Sequence, residues 1–171
     1  MTSFVWTATR HCAPAALVLA LAGPALAQDL VSELSFAIVE TDSEGEERLA
    51  AREAVRPGET IEYALVSRNL SEEDALEDVV VGAPVPEGTR LIPASATSSL
   101  SALLEVQAEL DPQVPGLEWS GLPAFRTIRT DEGDTVTEPL PDAEIVALRW
   151  RFEETLPPGG EARTTYRLIV D

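Results

Sequence analysis

Pro57-Gly58-Glu59-Thr60-Ile61-Glu62-Tyr63-Ala64-Leu65-Val66-Ser67-Arg68-Asn69 decides the fold. Proline followed by glycine suits the centre of a tight turn, because the proline ring presets φ and glycine tolerates a positive φ. Beyond the turn the residues alternate. Ile61, Tyr63 and Leu65 face one way, with Glu62 and Arg68 among those facing the other. Period two with one apolar parity is the signature of a strand with one buried face.

The same grammar extends in both directions. Upstream, Glu33 to Thr41 places Leu34, Phe36 and Ile38 on one face, and Asp42 to Glu47 is a polar acidic turn. Leu49 to Val55 fits either a short helix or an alternating edge strand. Downstream, Leu70 to Asp78 is an acidic connection in which Ser71-Glu72-Glu73-Asp74 suits the cap of one helical turn. Val79-Val80-Val81 reads as a short buried strand, Pro84-Val85-Pro86-Glu87-Gly88 as a turn, and Thr89 to Thr97 as a strand interrupted at Pro93. Ser98 to Leu110 supports helix by propensity or strand through Leu104 and Val106.

Short strands then follow at Trp119, Phe125 to Thr130 and Thr135 to Glu138, with Asp131-Glu132-Gly133-Asp134 as a hairpin turn. Glu144 to Phe152 sets Val146, Leu148, Trp150 and Phe152 against Ile145, Ala147, Arg149 and Arg151. Leu156-Pro157-Pro158-Gly159-Gly160 turns the chain into a last strand, Ala162 to Val170. Eight or so strands with turn signals every 8–12 residues or so predict an antiparallel β-sandwich.

Met1 to His11 carries one firm charge, Arg10; an apolar run follows from Ala13 to Ala22, then Gly23-Pro24 and Ala25-Leu26-Ala27. That order is a secretory signal peptide over residues 1–27, cut before Gln28, and the run is shorter than the roughly 20 apolar residues a membrane span needs. Cleavage leaves residues 28–171 as one domain: 144 of the 171 residues, with 11 of the 12 basic and all 30 acidic side chains, for a formal charge of −19. The expectation is an exported protein, periplasmic or extracellular, with no transmembrane segment in its mature form. Acidity of this degree keeps a secreted protein dispersed. It also argues against nucleic acid, whose phosphates require a basic footprint.

All 12 basic residues are Arg, while Cys12 and His11 both lie in the leader. A mature chain with no Lys, His or Cys has no disulfide, Cys/His zinc site, His-based triad, thiol nucleophile or Schiff-base lysine. Catalysis is not expected, nor is a cofactor. Oxygen ligands for calcium occur at Asp42, Glu44, Glu46 and Glu47, and at Asp131, Glu132 and Asp134 around Gly133; neither set has the spacing of a helical calcium loop, and solvated turns are the commoner reading. Asn69-Leu70-Ser71 matches a glycosylation acceptor triplet. Ser120 in Trp119-Ser120-Gly121 lacks the spacing of a nucleophile elbow. Trp150 lies on an apolar parity and belongs to the core. Trp119, near Gly116 and Gly121, is the better candidate for an exposed ring, although core filling is the commoner reading for it too.

Several of these stretches together resemble a known family. The Pro57 to Asn69 launch, the Val79-Val80-Val81 strand, the Val85-Pro86-Glu87-Gly88-Thr89 turn and the ending from Leu148 to Phe152 through Leu156-Pro157-Pro158-Gly159-Gly160 resemble the bacterial conserved-repeat family known as domain of unknown function eleven. The resemblance covers roughly Glu33 to Asp171. It implies an immunoglobulin-like sandwich in an envelope or extracellular setting, and it brings no catalytic residue. The expected function is a non-catalytic structural or protein-interaction module whose partner is another envelope or extracellular protein, met in part through exposed sheet edges. The alternative is a carbohydrate-binding or calcium-dependent carbohydrate-active domain, for which an open groove at Trp119 would be the anchor.

Overall fold

The computed structural model describes residues 29–52 and 54–171, so the leader expected over residues 1–27 lies outside the described residues. Eleven strands follow in order: β1 Leu30–Thr41, β2 Glu47–Ala50, β3 Thr60–Asn69, β4 Val80–Pro84, β5 Thr89–Ser98, β6 Ala102–Ala108, β7 Glu118–Gly121, β8 Phe125–Arg129, β9 Thr135–Pro139, β10 Ala147–Phe152 and β11 Glu161–Val170. One 3₁₀ turn, Asp142–Glu144, precedes β10. The protein is an all-β antiparallel sandwich. One sheet has the order β2-β1-β3-β11-β5, the other β4-β10-β6-β7, and β8-β9 forms a separate hairpin.

Three turns of one design launch β3, β5 and β11. In each, an N–H at the fourth position reaches the carbonyl of the first: Glu59 to Arg56 at 3.1 Å, Thr89 to Pro86 at 3.2 Å, Gly160 to Pro157 at 2.8 Å. The third position is a glycine at positive φ: Gly58 at 83°, Gly88 at 75°, Gly159 at 65°. L side chains strain there, which explains the recurring Pro/Gly punctuation. Gly160 is required for a different reason, since a Cβ there would sit 2.8 Å from Pro157.

The pairing is that of a long antiparallel ribbon wound over itself. β3 pairs with β11, β4 with β10 and β6 with β7, while β5 takes its place beside β11 in the first sheet. This is the winding of a jelly roll, with the β8-β9 hairpin and the 3₁₀ turn standing where a further strand would lie beside β5. An immunoglobulin constant-type sandwich keeps its last two strands in one sheet. Here β10 and β11 fall in different sheets.

One core fills the space between the sheets, with Trp150, Tyr166, Leu148, Leu168, Leu91, Val106 and Leu156 all buried. Trp150 is thus core, as its parity predicts. An aromatic ladder crosses the inner face of the wider sheet. Phe36 lies 5.8 Å from Tyr63, Tyr63 stacks on Tyr166 at 5.2 Å, and Tyr166 lies 6.0 Å from Trp150. Burial pushes the Tyr166 phenol well above its usual range. Its hydroxyl donates to the Pro84 carbonyl at 2.8 Å, tying the sheets together.

Several local expectations resolve or change. Within Ser98 to Leu110 the chain is strand, not helix, over Ala102–Ala108, because β6 fills the gap between β10 and β7. Among the described residues of Leu49 to Val55, Leu49 and Ala50 end the short strand β2, and no helix forms. Ser71 Oγ accepts the N–H groups of Glu73 and Asp74 as a cap would, yet no helix follows. The interruption at Pro93 is a β-bulge in which the Arg167 N–H donates to Ser95 Oγ instead of a strand carbonyl. Val146 is exposed and Ile145 buried, the reverse of simple alternation, because the chain enters β10 from the 3₁₀ turn. Of the apolar trio on β1, Ile38 is 1% exposed, but Leu34 and Phe36 are 46% and 45% exposed. The five-stranded sheet is wider than its partner, so this end of its inner face has no strand opposite it.

Candidate interaction face

The outer face of the four-stranded sheet can be read directly from register. Gly82, Arg149, Glu105 and Gly121 are successive cross-strand partners, as are Pro84, Ala147, Gln107 and Trp119; Val80, Arg151 and Leu103 form the next row. These residues share the parity opposite to Val81, Leu148 and Val106, which are buried. Two glycines flank the central row, so the Arg149–Glu105 pair has no side chain beside it on either neighbouring strand.

Glu105 holds two arginines. Arg149 Nε donates to its carboxylate at 2.7 Å, and Arg151 approaches the same oxygen at 3.4 Å. The hydrogen bond from Arg149 holds the Glu105 carboxyl below its usual range. The Arg149 guanidinium also lies 4.2 Å from the centre of the Trp119 ring, a cation–π contact. Leu103 and Val80 are exposed on the same face. These three rows together offer an aromatic ring, a fixed arginine, a second and half-free arginine, and apolar flanks on one face of the sheet. Trp and Arg are the residue types that dominate binding energy at protein interfaces.

The expected site residues fall in separate places. Trp119 is partly exposed on this outer face; Arg149 covers one side of its ring. Asp42 is committed to its own hairpin, accepting the N–H groups of Glu44 and Glu46 at 2.9 and 3.0 Å, and Glu47 pairs with Arg167. Asp131, Glu132 and Asp134 occupy the β8-β9 turn, closed by Gly133 N–H on the Thr130 carbonyl. Among the described residues no three carboxylates converge in a metal-binding group. Asn69 is 1% exposed, and its Nδ2 donates to the carbonyls of Asp74, Leu156 and Pro157. In the folded chain this amide is a structural clamp, inaccessible to a glycan.

Arg149, Arg151 and Glu105 were not singled out from the sequence as a site, although the alternation in β10 placed both arginines on the outer parity. Their convergence with Trp119 depends on β6 lying between β10 and β7. No family model, no curated protein and no solved structure matches the chain. No helix among the described residues is long and apolar enough to cross a membrane.

Proposed function

We propose that this protein is an exported, non-catalytic interaction module that engages an envelope or extracellular partner through the outer face of its four-stranded sheet. The carrying observation is the Trp119–Arg149–Glu105–Arg151 arrangement, where a carboxylate is outnumbered by arginines in a strongly acidic chain. The half-free Arg151 suits a carboxylate on the partner, and the ring and Leu103 supply area that excludes water around it. The likeness to the conserved-repeat family enters this proposal for the extracellular setting alone, since the strand order differs from that of a constant-type immunoglobulin domain. It rests on the turn and strand motifs, and the Asn that ends β3 has a clear structural task there.

Two observations weigh against an enzyme. The mature sequence lacks the side chains most nucleophiles and bases require, and the two carboxyls with displaced pKa values, Glu59 and Glu105, are both held low by arginines, unsuited to acting as general acids. The carbohydrate alternative needs a free ring face, and Arg149 takes one side of Trp119.

The test is site-directed photocrosslinking in cells that export the protein. A crosslinking residue at Leu103 is expected to trap one discrete partner band, while the same residue at Arg163, exposed on the outer face of the other sheet, traps none. Equal trapping at both positions, or none at Leu103, would remove the proposal.

A further inference from the structure

The inner face of β1 runs beyond the four-stranded sheet, whose edge on that side is β4. Val85 N–H bonds to the Val146 carbonyl and Phe152 N–H to the Val79 carbonyl. Antiparallel alternation therefore directs the main-chain groups of Val79, Val81, Ala83 and Val85 toward β10 and those of Val80, Gly82 and Pro84 toward the open edge. Pro84 has no N–H, and its carbonyl is taken by Tyr166. Val80 and Gly82 present two donors and two acceptors to a lane that no strand among the described residues occupies. The floor of that lane is apolar: Leu34 and half-exposed Phe36, the outermost ring of the aromatic ladder. A strand laid along β4 would satisfy the edge and cover this floor in one step, as the missing fifth strand of the narrower sheet.

Charge selects the occupant. Glu72, Glu73, Asp74, Glu77 and Asp78 lie exposed in the connection that leads directly into β4, and none makes an ion pair among the described residues. Pairing of two copies through β4 would bring two such clusters together, an arrangement that like-charge repulsion opposes. We propose that the β4 edge and the β1 shelf together receive an extended segment of a partner protein, with apolar residues at alternate positions and Lys or Arg beside them. Backbone pairing supplies affinity, the apolar shelf fixes register and the acidic connection selects basic sequences. This deepens the interaction-module reading but uses a different surface, so the two can fail separately.

The test uses the full exported protein against a displayed library of random twelve-residue peptides. Enriched peptides are expected to alternate apolar residues and to carry Lys or Arg, and a bound peptide is expected to slow hydrogen exchange at the amides of Val80 and Gly82. Gly82→Pro removes an edge N–H that has no internal partner, and should weaken peptide binding by about tenfold or more. Phe36→Ser, which leaves the edge backbone intact, should also weaken it and decides the matter if the proline variant does not fold. Trp119→Ala, on β7 at the far edge of the same sheet, should leave it unchanged. Absence of enrichment, unprotected edge amides, or binding lost in Trp119→Ala but kept in Gly82→Pro would overturn the proposal; the last result would assign the peptides to the outer face instead.

Discussion

The outer faces of the two sheets handle charge in opposite ways. On the five-stranded sheet each of two central arginines sits between two carboxylates: Arg68 between Glu33 and Glu161, Arg167 between Glu47 and Glu62. On the four-stranded sheet one carboxylate, Glu105, sits between two arginines. The first arrangement spreads each of these two positive charges over two partners, and the exposed Arg163 on the same face stands apart from any cation–π pair or shared carboxylate among the described residues. The second leaves Arg151 only half engaged and sets it near an aromatic ring. An arginine neutralised by two carboxylates serves solubility, whereas two arginines sharing one carboxylate beside a tryptophan are equipped for contact.

Substitution can break or sharpen this contrast, and the largest effect lies beneath the proposed face. Trp150 and Trp119 occupy opposite sides of the same sheet. Trp150→Ala is expected to destabilise by about 3–5 kcal/mol in denaturant unfolding, because it empties a well-packed core. Trp119→Ala should cost only about 1 kcal/mol, yet abolish the Leu103 crosslink. Equal stability losses would mean that the outer ring is structural.

Next in size is Asn69→Ala. It strips a donor from three carbonyls and an acceptor from the Ser71 N–H, so a loss of about 3 kcal/mol is expected, with no effect on the Leu103 crosslink. Tyr166→Phe, which removes the hydroxyl that tethers the sheets, should cost about 1 kcal/mol by thermal unfolding. It also removes an alkaline liability. A phenol whose folded pKa lies above its unfolded value contributes stability below about pH 10, lost as pH rises through the folded pKa, so the variant should lose less stability in that range.

The smallest effect is electrostatic and bears on the contrast most directly. Glu59 and Glu105 have folded pKa values below their unfolded ones, so their contribution is present above the usual carboxylate range and lost as pH falls through the folded values. Glu105→Gln is expected to flatten the acid limb of stability measured between about pH 5 and pH 2, with little change at pH 7. The same variant leaves both arginines without their carboxylate and should strengthen binding of an acidic partner. Unchanged or weaker binding would sink the claim that cationic surplus is what this face offers.

Much of the architecture was legible in the chain because its causes are local. Pro57-Gly58, Gly88 and Pro158-Gly159 mark turns whose φ values only glycine adopts easily, and alternation through Tyr63 and Tyr166 shows which parity is buried. Where the reading failed, the cause was non-local. Leu34 and Phe36 carry the right parity for burial, but nothing in their segment says that the opposite sheet is one strand short. Asn69-Leu70-Ser71 reads as an exposed acceptor until three carbonyls from distant segments close around its amide. Arg149 and Arg151 look like ordinary outward residues, and only the insertion of β6 between β10 and β7 gathers Glu105 and Trp119 beside them.

The amino-acid order alone determined the class of structure, the positions of its turns and the scarcity of nucleophiles and bases, because strand periodicity, glycine φ, the absence of Lys and the confinement of the one His and one Cys to positions 11 and 12 are properties of single segments or of composition. Tertiary structure decided the strand order, the lone ring left open at the end of the aromatic ladder and the one carboxylate shared by two arginines. Those depend on which strands become neighbours, a matter of sheet width and winding that no individual segment encodes.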